Sequence, residues 1–439
     1  MQLLDRTPEL LEDAISFRFE LTAGDGLMEL VGQLNAEMAR NGQIRGNRRH
    51  WEHNLGSVVA NLYAAWNRAP AAYVAYSRDS HAYGQTRYNP LQLTRQLPQV
   101  VDALAEAGHV EALAGFFDRT TRRSRRARMR GTLPLLLRFQ ELQRGDVREV
   151  EREAIELRQA DARTGRQAAV DYADSETTNR WREQVQGFNR NISDGDIRLG
   201  VPQGAAAQTP LEAGYAVDLS ATKLVRIFSN GRWDEGGRLY GGWWQRLPQQ
   251  TRRCITIDRQ PTIELDFKSL QPVIAYLSQG VDYWRQTTAD PYRIDGVPGH
   301  LRSVVKTAYL IALNARTRRQ GLQALTQHIR DLSLEDQQEV QLVGGAAGLL
   351  DGVIEKHPTL QPLWLAGRSG WLQHLDSEIA VRVLERCGEA GVVCLPIHDS
   401  FIVRTDHEDT LEGSMREAFQ EVMEQHTGVA HPECLISRD

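Results

Sequence analysis

Apolar positions along this chain recur with two periods, and the change from one to the other divides it. From Trp51, the positions Leu55, Val58, Val59, Leu62 and Tyr63 advance by three and four residues, which predicts a helix with one buried stripe. Shorter runs at 90–93 and 97–104 predict two more helices. Gly108 stops the second, as a residue suited to the left-handed conformation just past a helix end. Residues 109–118 and 124–132 read as the two strands of a hairpin. Residues 1–50 are polar and helix-prone, and the Glu/Arg spacings in 147–153 predict exposed helices. Strand-like runs return only after residue 215. The expected organisation is therefore a helical segment at 1–50, a domain at 51–145, a helical connector or thumb-like region at 146–215, and a core at 216–439.

Composition supports folded domains. Of 439 residues, 41% are hydrophobic and 25% charged, enough for one large core or two to three smaller ones, which excludes a disordered or collagen-like chain. No stretch approaches the roughly 20 apolar residues of a bilayer span, and Met1 to Asp5 lacks the basic start and apolar centre of a secretion signal. A soluble, cytoplasmic protein without a membrane partner is expected. Cys254, Cys387, Cys394 and Cys434 show no C-x-x-C pair and no histidine at zinc-finger spacing, so they read as reduced thiols.

The formal net charge of −5 argues against a nucleic-acid partner until its distribution is considered. Arg119, Arg122, Arg123, Arg125, Arg126, Arg128 and Arg130 fall within twelve residues, along and between the two predicted hairpin strands. Guanidiniums projecting from a hairpin suit phosphates and give salt-dependent, mostly sequence-independent affinity. A solvated arginine-rich loop is the alternative. Helices followed by an Arg-rich hairpin resemble a winged-helix DNA-binding domain, with 97–107 as recognition helix and the hairpin as wing.

Three segments of the last 190 residues carry candidate chemistry. At 262–276 an alternating strand ends near Asp266; Ser269 is placed to cap the helix that follows, and Pro272 falls in its first turn. At 300–315, Arg302, Lys306, Leu310 and Asn314 advance by four residues, drifting only about 40° per step on one helix face. Two cations on one face suit a triphosphate. At 392–403 two apolar runs flank His398-Asp399-Ser400, a hairpin with His398 and Asp399 at its tip, and Pro396 marks the first strand as an edge or an interruption.

As an ordered set these segments resemble motifs A, B and C of the family A DNA polymerases and the single-subunit, phage-type RNA polymerases. The resemblance covers residues 225 to 410 and implies an α+β fold: a right-hand palm with an antiparallel sheet and mostly helical fingers and thumb. It implies that Asp266 and Asp399 are the catalytic, metal-binding carboxylates and that Arg302 and Lys306 grip the incoming nucleotide. His398 belongs to the same catalytic set, and Gln271, Asn314 and Phe267 are placed beside the nucleotide. Independently of any family, two carboxylates on adjacent strand tips can hold two Mg²⁺ or Mn²⁺ ions about 3.5 to 4 Å apart. Gly236 to Gln245 contains Gly-Arg-Leu-Tyr, similar to a segment upstream of motif A in the RNA polymerases. There Arg238, with Trp243 and Trp244, would meet nucleic acid, or else the tryptophans form a core cluster.

The sequence departs from the family at three positions. Gln271 stands five residues after Asp266, where the DNA polymerases carry Glu, and Asn314 replaces the tyrosine that ends motif B. Ser400 follows the His-Asp pair, as in the RNA polymerases. These marks leave the choice between deoxynucleotides and ribonucleotides open. No proofreading exonuclease is expected. The expected function is template-directed nucleic-acid synthesis, a nucleotidyl transfer with nucleoside triphosphates and a nucleic-acid template as partners. A decayed polymerase core in a DNA-binding protein of replication or regulation is the alternative, and a metal-dependent nuclease, with no use for the Arg302/Lys306 helix, is a third.

Overall fold

The structure is a computed structural model, and it describes residues 14–67, 71–117, 124–142, 147–161, 165, 167–200 and 217–438. It is a mixed α/β chain with several sheets, divided into two units. One comprises Met1–Ala154, Leu199–Thr222 and Gly242–Cys254; the other Ile155–Arg198, Lys223–Gly241 and Ile255–Asp439. Among the described residues no helix is long and apolar enough to cross a membrane.

In the first unit β1 (Ile15–Ser16), β3 (Val74–Tyr76), β7 (Ala127–Gly131) and β4 (Val110–Leu113) form one sheet in the order β1-β3-β7-β4. Strand β2 (Leu21–Ala23) pairs with β8 (Val147–Glu149), and β5 (Phe116–Phe117) with β6 (Ser124–Arg125). Helices α1 (Asp25–Arg40), α2 (Arg48–Trp66), α3 (Leu97–Glu106) and α4 (Leu133–Gln140) share with the sheet a core around Trp51, Leu55, Val59, Leu97, Leu104 and Met129. Asn47 caps α2 by accepting from the amides of Arg49 and His50, and Gly108 ends α3 with a φ of 78°. Trp243 and Trp244 are buried in this unit, so they are core residues and not a surface for bases.

Two sequence expectations fail here. Residues 90–93 are not helical. Asn89 accepts from the Leu93 amide at 2.9 Å and donates to the Leu93 carbonyl at 2.8 Å, and this side-chain staple displaces helical bonding. The stretch after residue 146 begins with strands, β8, β9 (Ile155–Ala160) and β10 (Gln167–Val170), before α5 (Glu176–Asp194). Ile155 and Leu157 alternate with Glu156 and Arg158, a period of two; pairing with distant strands overrides the helical preference of the flanking charges.

The second unit contains the sheet β10-β9-β12-β13, with β12 (Val225–Phe228) parallel to β9 and antiparallel to β13 (Gly236–Tyr240). That pairing places 155–198 in this unit. Its larger sheet runs β11 (Ile197–Leu199), β14 (Ile255–Ile257), β15 (Gln260–Phe267), β17 (Ser400–Arg404) and β16 (Leu395–Ile397), with β18 (Ile436–Arg438) also paired to β15. Strand β16 lies at the edge, where the missing amide of Pro396 is tolerated. The helices are α6 (Leu270–Leu277), α7 (Arg302–Asn314), α8 (Arg318–Arg330), α9 (Leu334–Leu342), α10 (Gly345–Lys356), α11 (Ser369–Glu389) and α12 (Glu408–Thr427). Leu265 and Phe267 bury one face of β15, with Phe267 against Phe401 and Phe419. Glu264 and Asp266 therefore share the opposite face.

Candidate functional site

The segments bearing Asp266 and Asp399 are neighbours in the larger sheet. Asp266 pairs with Ser400 across β15 and β17, and the Phe267 amide donates to the Asp399 carbonyl at 3.3 Å. The β16–β17 turn consists of His398 and Asp399 alone, since Ile397 pairs with Ser400. So tight a hairpin needs left-handed backbone, and His398 supplies it at a φ of 59°. Ser400 Oγ donates to buried Glu264 at 2.8 Å, joining the two strands on the Asp266 face.

A cavity of about 400 Å³ is lined by Asp266, Asp399, Gln271, Arg302 and Lys306, with Lys268, Trp284, Asp290 and Tyr292. Helix α6 buries every residue except Gln271, which turns to the cavity. It begins at Ser269, which adopts a φ of 52° and makes no side-chain capping bond, contrary to the expected cap. Helix α7 buries Val304, Val305, Ala308, Tyr309, Ala312 and Leu313 and exposes Arg302, Lys306, Leu310 and Asn314 along one face.

The two cations of α7 differ in their surroundings. Arg302 forms a two-pronged ion pair with Asp290, and its guanidinium carbon lies 5.1 Å from the centre of the Tyr292 ring. Burial works to raise the Asp290 carboxyl, but hydrogen bonds from Arg302 and the Tyr292 amide outweigh it and hold the group below the usual carboxylate range. Lys306 lies 5.9 Å from the same ring and, among the described residues, has no ion-paired carboxylate. Burial, reinforced by the charges of Asp399, Asp290 and Asp266 and only partly opposed by Arg302, pushes the Tyr292 phenol up, so it remains a neutral donor.

Beneath Gln271 lies Asp376 of α11, which is 1% exposed. Its Oδ2 accepts from Gln271 Nε2 at 2.8 Å and from two nitrogens of Arg238, while its Oδ1 has no hydrogen-bond partner among the described residues. Burial pushes this carboxyl up to about 6 against the pull of Arg238, and the charge of Asp399 adds to the rise. Arg238 is thus held by a buried carboxylate. The only sequence signal for Asp376 is its place in the helical run before the His-Asp hairpin, and for Tyr292 there is none.

Phe267 contributes to the cavity lining but turns its ring into the core, as strand alternation with Asp266 requires. Two expected residues lie elsewhere. Asn314 is about 12 Å along α7 from Lys306 at a rise of about 1.5 Å per residue, where it accepts from Ser369 Oγ at 2.6 Å. His398 packs edge-on against Tyr240, 5.2 Å between centroids, and burial with nearby Arg238 lowers its pKa despite Asp399, so the ring is neutral at pH 7.

Arg122 and Arg123 of the hairpin lie outside the described residues. Arg125 lies over the Phe116 ring at 5.2 Å, Arg126 is exposed, Arg128 is buried, and Arg130 bonds Glu111 at 2.8 Å. Phe116 and Phe117 are exposed beside them. Gly115 is required at this place, because a Cβ would sit 2.6 Å from the Arg125 carbonyl of the facing strand. Helix α3 turns Gln99, Asp102 and Glu106 outward, and Asp102 holds Arg78 at 2.6 and 2.7 Å, so its outer face offers no basic group to phosphate.

Asp266 and Asp399 are the side chains of the cavity that could hold divalent cations. Two hard carboxylates leave coordination positions for water and phosphate oxygens, which fits Mg²⁺. No protein-family model matches the sequence, and no match to a curated protein was found.

Proposed function

We propose that the chain is a template-directed nucleotidyltransferase of the right-hand polymerase type, acting in the cavity between β15, the β16–β17 turn and α7. The observation that carries this reading is the convergence of Asp266 and Asp399 with Arg302 and Lys306 on one cavity large enough for a nucleotide. Carboxylates alone would equally suit hydrolysis. Cations on the opposing helix supply what a triphosphate needs, since they offset charge on the transferring and leaving phosphates.

In this reading a terminal hydroxyl of the growing strand attacks the α-phosphorus, the bond to the β-phosphate breaks, and pyrophosphate leaves. Divalent ions at Asp266 and Asp399 would lower the pKa of the hydroxyl and neutralise the leaving group. Lys306, without an ion-paired carboxylate among the described residues, would meet the phosphates directly; Arg302 would exchange Asp290 for them. Gln271, held by Asp376, would position the sugar. The order α2, β3, α3, β4, β7, with the strands arranged β3-β7-β4, supports a winged-helix module in the first unit. Because α3 presents acids, its contact with DNA would come through the hairpin, where Phe116, Phe117, Arg125 and Arg126 suit stacking and phosphate contact.

The test is Mg²⁺-dependent incorporation, comparing ribo- and deoxynucleotides on DNA and RNA templates with and without primer. Incorporation by the wild type, lost in Asp266→Ala and in Asp399→Ala, is expected. Activity surviving in both variants would refute the assignment.

A further inference from the structure

We propose that His300, Asp336 and Glu339 form a binding site for one first-row divalent metal ion of the Zn²⁺ type, separate from the Asp266/Asp399 pair. Their ligand atoms all lie within 4.8 Å of one another, and no other group of three such side chains occurs among the described residues. His300 Nε2 is 2.6 Å from Glu339 Oε2 and 3.6 Å from Asp336 Oδ1. These separations bracket the edge of about 3.3 Å expected for ligands around a tetrahedral ion with bonds of about 2.0 to 2.1 Å.

A second observation concerns the Glu339 oxygen itself. Oε2 is shut off from solvent and, among the described residues, receives no hydrogen bond; its near neighbour is the His300 imidazole nitrogen, in an ion-pair contact. A cation coordinated by the lone pairs of both atoms would satisfy them together. Asp336 and Glu339 stand three residues apart on α9, so both carboxylates point from one face. An imidazole with two carboxylates selects Zn²⁺ over Mg²⁺, because imidazole is a borderline donor that Mg²⁺ accepts poorly. Half-exposed His300 leaves water access to the remaining position.

The site would act on α7. His300 belongs to the turn Gly299–Leu301 directly before that helix, whose Arg302 and Lys306 face the cavity. A bound ion would tie this turn to α9 and restrain the start of α7.

The test uses the full chain stripped of metal with a chelator and titrated with Zn²⁺ against a chromophoric competitor. One tightly bound equivalent is expected, not displaced by excess Mg²⁺. Loss of outer-shell partners alone weakens metal sites by about tenfold or more, so His300→Ala and Glu339→Gln should each weaken binding at least that far. An Asp266→Asn/Asp399→Asn double variant should retain the site, and circular dichroism verifies that each variant is folded. Equal affinity in wild type and folded His300→Ala, absence of tight binding in the wild type, or loss of binding in the double variant would overturn the proposal.

Discussion

The cavity of the second unit and the arginine hairpin of the first are both concentrations of charge, but they arise in opposite ways. In the cavity, isolated charges from β15, the β16–β17 turn and α7 are brought together by folding, and Lys306 has no ion-paired carboxylate among the described residues. In the hairpin, charges crowded in sequence are dispersed by folding: Arg128 is buried, Arg130 is held by Glu111, and Arg125 lies over Phe116. Density of charge along a chain is a weak guide to a site, because strand alternation sends neighbours to opposite faces. Convergence of opposite charges from distant segments says more, since such groups oppose folding unless they are paired or used.

The sharpest test of this contrast lies on α7. Lys306→Ala should lower nucleotide incorporation by about 10²- to 10³-fold, the usual effect of removing one preorganised cation or donor from a transition state. Arg302→Ala should have a smaller effect, because Asp290 already neutralises much of that charge. Steady-state rates of the two variants decide it; equal losses would show that Asp290 releases Arg302 without penalty.

The cavity wall should also be acid-labile. His357, 1% exposed, donates from Nε2 to the Pro291 carbonyl and accepts from Tyr276 at Nδ1, both at 2.9 Å, and so supports the Asp290 to Tyr292 segment as a neutral ring. Burial lowers its pKa to about 4, against the Pro291 hydrogen bond, which acts to raise it. A depressed histidine contributes stability that is present above its unfolded value of about 6.5 and is lost as pH falls through about 4. That loss is worth about 3 kcal/mol at its limit. Urea unfolding between pH 7 and pH 4 should show it, and His357→Gln should flatten the decline.

In the hairpin the effects should be smaller and separable. Replacing Arg125 and Arg126 by Ala should leave stability nearly unchanged and flatten the salt dependence of DNA binding by about 0.9 per lost phosphate contact. Arg130→Ala should cost about 1 kcal/mol of stability, as a part-buried charged hydrogen bond, without changing that slope. The reverse pattern would mean that the buried and paired arginines, and not the exposed ones, face phosphate.

Much of the second unit was legible because its signals are local. The alternation around Leu265 and Phe267 and the four-residue advance from Arg302 to Asn314 each fix a face without reference to the rest of the molecule. Illegible features depend on partners far away in sequence. Strand β9 was masked by flanking charges until β12 paired with it, and Arg238 looked exposed until Asp376 appeared 138 residues later. Asn314 shares a face with Lys306, but a shared face says nothing of how far along the axis a cavity extends.

By itself, then, the sequence determined the buried stripe of α2, the constraint that Pro396 places on β16, the His398-Asp399 turn and the face of α7, since each follows from steric preferences within a few residues. Only the tertiary structure decided that Asp266, Asp399, Arg302 and Lys306 share one cavity, that Arg238 pairs with buried Asp376, that Trp243 and Trp244 belong to the interior, and that His300, Asp336 and Glu339 meet. The reason is physical: burial and charge pairing are properties of surroundings, and surroundings exist only once distant segments have packed.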